Sequence, residues 1–341
     1  MLEVFAWGAV RGLPPINHDG RRARAVRIVI PGGSGQVGTV LARAFHADGH
    51  QVTVLSRTPA PAPWATLGWD AKSVGPWIDA LDGAEVVINL AGRSVNCRYT
   101  EKNRDLVMKS RIDSTCVVGE AIRRCARPPR TWLQASTATI YAHRYDAPND
   151  EETGIIGGAE PDAPEAWRFS IDVATAWERA LDEAQVPETR KVKLRSALTM
   201  SPDRGGIFDQ LLCLVRLGLG GRAGDGRQYV SWIHHEDFVR ALYWLVEHEE
   251  IEGAVNIASP NPLPNSEFMR ALREAWGIRL GVPAAEWMLE VGATFMRTET
   301  ELILKSRRVV PGVLLRHGFS FRHPTWPEAA RRLCAEWRAK S

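Results

Sequence analysis

No stretch of this chain stays apolar for the roughly 18 residues that a membrane-crossing helix requires, so a membrane partner is not expected. Cysteine is scarce. Cys97, Cys116, Cys125, Cys213 and Cys334 are odd in number, widely spaced and without a CxxC pair. That excludes a disulfide framework and a zinc site by spacing, and points to a reducing, cytoplasmic compartment. Charge of one sign is missing too: 43 basic against 40 acidic residues leave +3, scattered along the chain, which argues against nucleic acid. No GxSxG elbow, HExxH pair, Walker pattern or internal repeat occurs, so a serine hydrolase, a zincin and a P-loop enzyme are set aside.

What is present is a chain of 341 residues with 45% hydrophobic and 24% charged content, enough to bury a large core. Most of its 13 tryptophans are expected in that core. The first 25 residues stand apart as an N-terminal extension. Leu2 to Val10 is apolar but broken by Glu3, and Arg21, Arg22 and Arg24 follow it, the reverse of a signal peptide.

From Val26 onward apolar β-branched runs alternate with amphipathic stretches. Strands are read at Ile28–Ile30, Gln51–Leu55, Glu85–Leu90, Thr131–Ser136 and Lys191–Ser196. Helices are read at Glu101–Cys125 and Glu165–Ala184. Alternation of this kind builds an α/β fold, a Rossmann-like doubly wound parallel sheet with helices on both faces. Beyond residue 200 glycine-rich stretches, an apolar helix near Phe208–Leu217, a strand at Ala254–Ile257 and proline-separated helices suggest a small, mostly helical C-terminal lobe roofing the ligand crevice. The domain expectation is therefore an extension over 1–25, a nucleotide-binding domain over 26–250 and a C-terminal domain over 251–341. Residues 200–235 would contribute to the substrate cleft.

The richest segment is Gly32-Gly33-Ser34-Gly35-Gln36-Val37-Gly38, set between the first strand and an amphipathic helix. Glycine serves three steric needs in such a unit: the tight turn, the approach of a pyrophosphate to the backbone, and close packing of helix on strand. The uncapped N–H groups of the helix start then face the phosphate charge. An NAD site carries an acid about 20 residues later for the ribose hydroxyls. Here Ser56-Arg57 ends the second strand instead, and a guanidinium suits a 2′-phosphate, so NADP(H) is the expected cofactor. Asp70, in Gly68-Trp69-Asp70, either contacts the adenine side or caps the next segment.

Several segments together resemble the short-chain dehydrogenase/reductase superfamily in its extended form. Gly32, Gly35 and Gly38 fit its GxxGxxG, and Asn89-Leu90-Ala91-Gly92 fits its NxAG segment. More narrowly, the chain looks like the atypical "epimerase family" branch, whose members carry a C-terminal domain of unknown function (DUF1731). The matching segments are Ser110-Arg111 with Ser114-Thr115, Trp177-Glu178, Gly218 to Gln228, Trp232-Ile233-His234 with Glu236-Asp237, Asn256 to Pro262, and Arg307 to Phe321. The resemblance implies that Ser56, Arg57, Leu90, Ala91, Gly92, Arg111 and Leu198 line an NADP site. His234 reads as an anchor tying its loop to the core with Asp237.

The superfamily's acid–base pair, Tyr-x-x-x-Lys on one helix face, is absent. Tyr99, Tyr141, Tyr145, Tyr229 and Tyr243 are followed four residues on by Asn103, Tyr145, Asn149, Ile233 and Glu247. Counting back from Glu178, the expected positions hold Ser170 and Ala174. Candidate catalytic groups are then Ser136 and Thr137 at the end of a strand, with Tyr141 close by, while Glu178 is a poor proton donor unless burial raises its pKa. The function expected is an NADP(H)-binding oxidoreductase acting on a small molecule. The rivals are a sugar-nucleotide epimerase and a non-catalytic NADPH-binding sensor, and the helix-rich surface permits a homodimer.

Overall fold

In a computed structural model the chain is described over residues 25–160, 164, 167–284 and 301–340. The N-terminal extension falls outside the described residues, apart from Ala25. Seven strands form one parallel sheet: β1 (Arg27–Pro31), β2 (Gln51–Ser56), β3 (Ala65–Gly68), β4 (Val86–Asn89), β5 (Thr131–Thr137), β6 (Arg190–Ser196) and β10 (Gly253–Ile257). Their spatial order is β10-β6-β5-β4-β1-β2-β3. The order reverses at β1, which pairs with β2 on one side and β4 on the other, and that is where a doubly wound sheet opens its crevice.

Both faces of the sheet are covered, and the sequence alternates accordingly. Ile28, Ile30, Val52, Val54, Val86 and Ile88 point into one core with Phe45, Phe238 and Leu242. The intervening Val29, Leu55 and Val87 point into the other, with Val118, Ile122, Trp132 and Leu181. The helices responsible are α1 (Gln36–Ala47) and α5 (His235–Glu247) on the first face, and α2 (Glu101–Arg124) and α3 (Arg168–Asp182) on the second. Period-two patterning with both faces apolar is what a buried parallel strand requires.

The remaining elements build the third core. Here α4 (Ile207–Arg216), α6 (Asn265–Trp276) and α9 (Trp326–Ala339) pack Phe208, Leu212, Phe268, Leu272, Trp326 and Leu333 together beside Trp232. Two small pairings frame it: β7 (Leu198–Met200) with β9 (Trp232–His234), and β8 (Tyr229–Val230) with β11 (Leu263–Pro264). Short helices α7 (Glu301–Leu304) and α8 (Gly312–Arg316) complete the described chain. Three features depart from the sequence reading. Strand β3 was not foreseen; the short pairings were not foreseen either; and β10, close to the strand read at 254–257, joins the main sheet beyond the boundary drawn at residue 250.

Candidate functional site

The turn between β1 and α1 is built around three glycines with different constraints. Gly32 sits at φ +75°, and a Cβ there would lie 2.6 Å from the Ala91 backbone. A Cβ on Gly38 would lie 2.4 Å from Gly33, so helix and turn touch backbone to backbone. Gly35 differs, since a Cβ there meets nothing nearer than the Gly32 carbonyl oxygen at 3.7 Å. The protein's own packing therefore accounts for Gly32 and Gly38 but leaves the space over Gly35 open. Gly35 is also the N-cap of α1 and offers no side-chain acceptor, so the first N–H groups of the helix point out unsatisfied. The Gln36 amide nitrogen, packed against Gly206, is buried without a hydrogen-bond partner. Open space and free N–H groups over Gly35 together fit a diphosphate.

From this turn a cleft of about 290 Å³ runs over the carboxyl ends of β2 and β4. Gly32, Ser34, Gly35, Ser56, Arg57, Asp70, Lys72, Leu90, Ala91 and Gly92 are among its walls. The Ser56 hydroxyl is buried and donates to the Ser34 hydroxyl at 3.0 Å, tying the end of β2 to the turn. Arg57 projects from the next position, with Lys72 on the same wall. Asp70 faces them but is a turn anchor. The Ser73 hydroxyl and N–H, then the Lys72 N–H, bond to its carboxylate and hold it at a pKa of about 2. Next to it Ala71 adopts φ +63°, a left-handed conformation that a non-glycine residue holds at a cost.

Asn89 anchors the opposite wall. Its side chain donates to Gln134 at 2.9 Å and accepts the Ala91 N–H at 3.1 Å, shaping the Leu90–Gly92 bend. Against Gly92 lies Arg111 of α2, whose guanidinium sits 5.0 Å from the Trp177 ring and donates to the Val107 carbonyl. Burial lowers its pKa to about 10, and among the described residues no carboxylate pairs with it. Leu198 lies apart on β7, where its N–H bonds to Ser231. Gly33 and Val37 belong to the turn and the first turn of α1 without lining the cleft.

Ser136, Thr137 and Tyr141 are not on the cleft wall. The Ser136 hydroxyl donates to Glu178 Oε1 at 2.6 Å, and Glu178 forms a two-pronged ion pair with Arg195, each contact 2.8 Å. Arg195 also donates to the Tyr141 hydroxyl, which donates in turn to Asn256 Oδ1, both at 2.9 Å. All five side chains are more than half buried, and Tyr141 is almost wholly so. Burial raises the Tyr141 pKa despite the positive charge of Arg195 beside it. These side chains link the ends of β5, β6 and β10. Thr137 is half-buried, and its Oγ1 caps the following turn by accepting the Thr139 N–H.

His234 is structural in the way its position suggested. Its Nδ1 accepts the Glu236 N–H at the start of α5, while Asp237 accepts the Arg322 and His323 N–H groups. Ligand-type atoms of His234, Glu236 and His323, and of His234, His235 and Glu336, lie within 4.8 Å of one another. An Nδ1 that accepts leaves the proton on Nε2, so His234 offers no lone pair to a metal. A larger concavity, about 1050 Å³, opens at the amino ends of β5, β6 and β10. Both of its lysines are occupied: Lys191 donates to carbonyls at the end of α3, and Lys193 pairs with Asp182. Ligands of doubly wound sheets bind at the other end.

Comparison with known proteins agrees with this geometry. The NAD dependent epimerase/dehydratase family matches residues 28–258, and a domain of unknown function (DUF1731) matches residues 284–333. The human epimerase family protein SDR39U1 is 29% identical over 315 residues, covering 91% of this chain and all of that protein. An epimerase family protein of Mycobacterium tuberculosis is 32% identical over 303 residues, covering 89% of this chain and 95% of that protein. A crystal structure of human SDR39U1 with NADPH superimposes with a TM-score of 0.79 at 28% identity, over 91% of this chain and 99% of that one.

Proposed function

The chain belongs to the NAD dependent epimerase/dehydratase family, and on that premise we propose that it is an NADP(H)-dependent oxidoreductase acting on a small molecule. The observation that carries the choice of cofactor is the end of β2. No acid stands there to accept the ribose hydroxyls, and Arg57 projects into the cleft with Lys72 on the same wall. Asp70, the nearby carboxylate, is held by Ser73 and Lys72. A relative of similar length and fold was crystallised with NADPH, which supports the same reading.

In this reading the α1 N–H groups hold the pyrophosphate, Arg57 and Lys72 take the 2′-phosphate, and Asn89 shapes the bend that carries Leu90 to Gly92. The bound nucleotide supplies or accepts a hydride. Arg111 stands over the second half of the cleft, beside Gly92.

Titration calorimetry with NADPH and NADH tests the assignment. NADPH is expected to bind at least about tenfold tighter, worth about 1.4 kcal/mol, and Arg57→Ala should remove most of that margin while leaving NADH affinity nearly unchanged. Equal affinity for both nucleotides in the parent protein would refute it. Tight NADPH binding with no turnover across a broad panel of aldehydes, ketones and alcohols would instead favour the sensor.

A further inference from the structure

The nucleotide cleft extends past the places that a pyrophosphate and a 2′-phosphate would fill. Beyond Arg57 and Lys72 its walls are Trp69 and Ala71 after β3, and Arg93 with Ser110 and Asp113 of α2. Ser110 and Asp113, three residues apart, share one face of the helix, while Ser114 turns to the sheet and donates to the Ala91 carbonyl at 3.3 Å. Most polar groups there are already engaged. The Ser110 hydroxyl accepts the Arg93 N–H at 2.9 Å and donates to the Val107 carbonyl at 3.0 Å. The Arg93 guanidinium reaches Asn103 at 3.4 Å, and Asp70 is held by Ser73 and the Lys72 N–H. Asp113 is the exception. Half-buried on the cleft wall, its carboxylate has no hydrogen bond or ion pair among the described residues. Lys109, one turn earlier, feels its charge but pairs with Asp105 at 2.8 Å.

We propose that Asp113 reads the base of the bound dinucleotide by accepting a hydrogen bond from the 6-amino group of adenine, so that the cleft selects a 6-aminopurine over a 6-oxopurine. The inference rests on the NADP(H) reading and adds to it a residue that decides the base. Bond connectivity places that base. The adenosine ribose carries its phosphate on C2′ and its base on C1′, the adjacent carbon. A 2′-phosphate held by Arg57 and Lys72 therefore puts the base in the part of the cleft next to them. Trp69, Ala71, Leu90 and Ala91 supply apolar surface there for the faces of a flat ring.

The hydrogen-bonding capacities of the two partners match. An ionised carboxylate only accepts. The ring nitrogens of adenine accept as well, and its one donor is the 6-amino group. Hypoxanthine brings a 6-oxo lone pair to the same place and sets it against the carboxylate. A site built to accept a hydrogen bond rejects an analogue that lacks the donor, because its own polar atom is then left desolvated and unpaired.

Calorimetry of the full chain with NADPH and with its deaminated analogue, which carries hypoxanthine in place of adenine, is the test. The parent is expected to bind NADPH at least about fivefold tighter than the analogue. In Asp113→Asn the side chain can donate as well as accept, so the preference should fall to within about twofold. Asp113→Ala puts the best helix former on α2 and should lose the preference likewise. Arg57→Ala acts on the 2′-phosphate, so it should weaken both nucleotides and keep the preference. Equal affinity of the parent for the two nucleotides, or a preference that survives in both Asp113 variants, would overturn the proposal. So would an equal gain for both nucleotides in Asp113→Asn, the mark of a carboxylate that only repels phosphate, or an equal loss, the mark of a bond to the ribose. Failure of the parent to bind either nucleotide would overturn the cofactor reading beneath it. Equal binding of NADPH and NADH would refute the 2′-phosphate contact alone, and NADH with its own deaminated form then reads the base preference.

Discussion

Replacing His234 by asparagine should flatten the acid side of the stability curve. His234 is fully buried, and burial is the main reason its pKa falls from 6.5 to about 2, with the charges of His235, His323 and Arg332 adding to it. The neutral ring is also what the cap demands, because Nδ1 accepts the Glu236 N–H at 3.2 Å. The imidazole rings of His323 and His235 lie with centroids 3.8 and 4.5 Å away. The carboxylates that could compensate are engaged, Glu236 with His323 and Glu336 with His235. In the unfolded chain the same imidazole takes a proton near pH 6.5, so the unfolded state binds more protons below that pH. A folded pKa depressed in this way contributes stability above pH 6.5 that is lost as pH falls. Between pH 7.5 and 5.0 the loss from this one group is about 2 kcal/mol. His234→Asn retains an acceptor for the cap and removes the titration. It should cost a roughly constant 1–2 kcal/mol for lost packing, while its urea-unfolding free energy falls about 2 kcal/mol less than the parent's between those pH values. Parallel curves for parent and variant would refute the argument.

Other expectations separate folding from binding. Gly35→Ala meets no protein atom closer than 3.7 Å, so its melting temperature should stay within about 2 °C of the parent while NADPH affinity falls at least about tenfold. Gly38→Ala forces a methyl to 2.4 Å from Gly33 and should cost about 1–3 kcal/mol in denaturant titration. Tyr141→Phe leaves Arg195 and Asn256 without their bridge, so it should cost about 1–3 kcal/mol in stability but leave NADPH affinity within about twofold by calorimetry.

The parts of this fold that were legible in sequence are those whose cause is local. The β1 turn and α1 follow from the order of three apolar residues, a glycine cluster and an amphipathic stretch, and the strands pack on both faces as their apolar runs required. Strand β3 was missed because it is an edge strand of four residues, Ala-Thr-Leu-Gly, mostly exposed and with no alternation. The partners of Ser136 and Tyr141 were not legible for a different reason. Position at a strand end says that a hydroxyl is near the crevice, but its direction is set by what lies behind the strand. Here Glu178 and Arg195 lie behind it. Asp70 offered two readings, and the signal that could have separated them was Ser73, three residues on, placed to close an Asx turn on it.

Least legible of all were the contacts that the C-terminal segment makes, since Glu301 meets Ser170 across 131 residues of chain and Lys305 meets Thr139 across 166. Only the tertiary stitching of the C-terminal segment explains their meeting. The Ser306 N–H bonds to His143, Asn149 exchanges backbone bonds with Arg308 and Val310, and Ser231 accepts the Val309 N–H while donating to the Arg307 carbonyl. Asn256, the last partner of Tyr141, donates to the Val310 carbonyl, and Glu151 joins the Asn256 and Val313 N–H groups. The buried Ser136–Glu178–Arg195–Tyr141–Asn256 chain therefore runs from the carboxyl end of β5 to the segment that carries Lys305. An ionic network in a core is weak evidence of stability, because desolvation offsets most of its attraction, but its partners must keep one register. Its position gives it that use: it holds the C-terminal segment in a fixed place against the sheet.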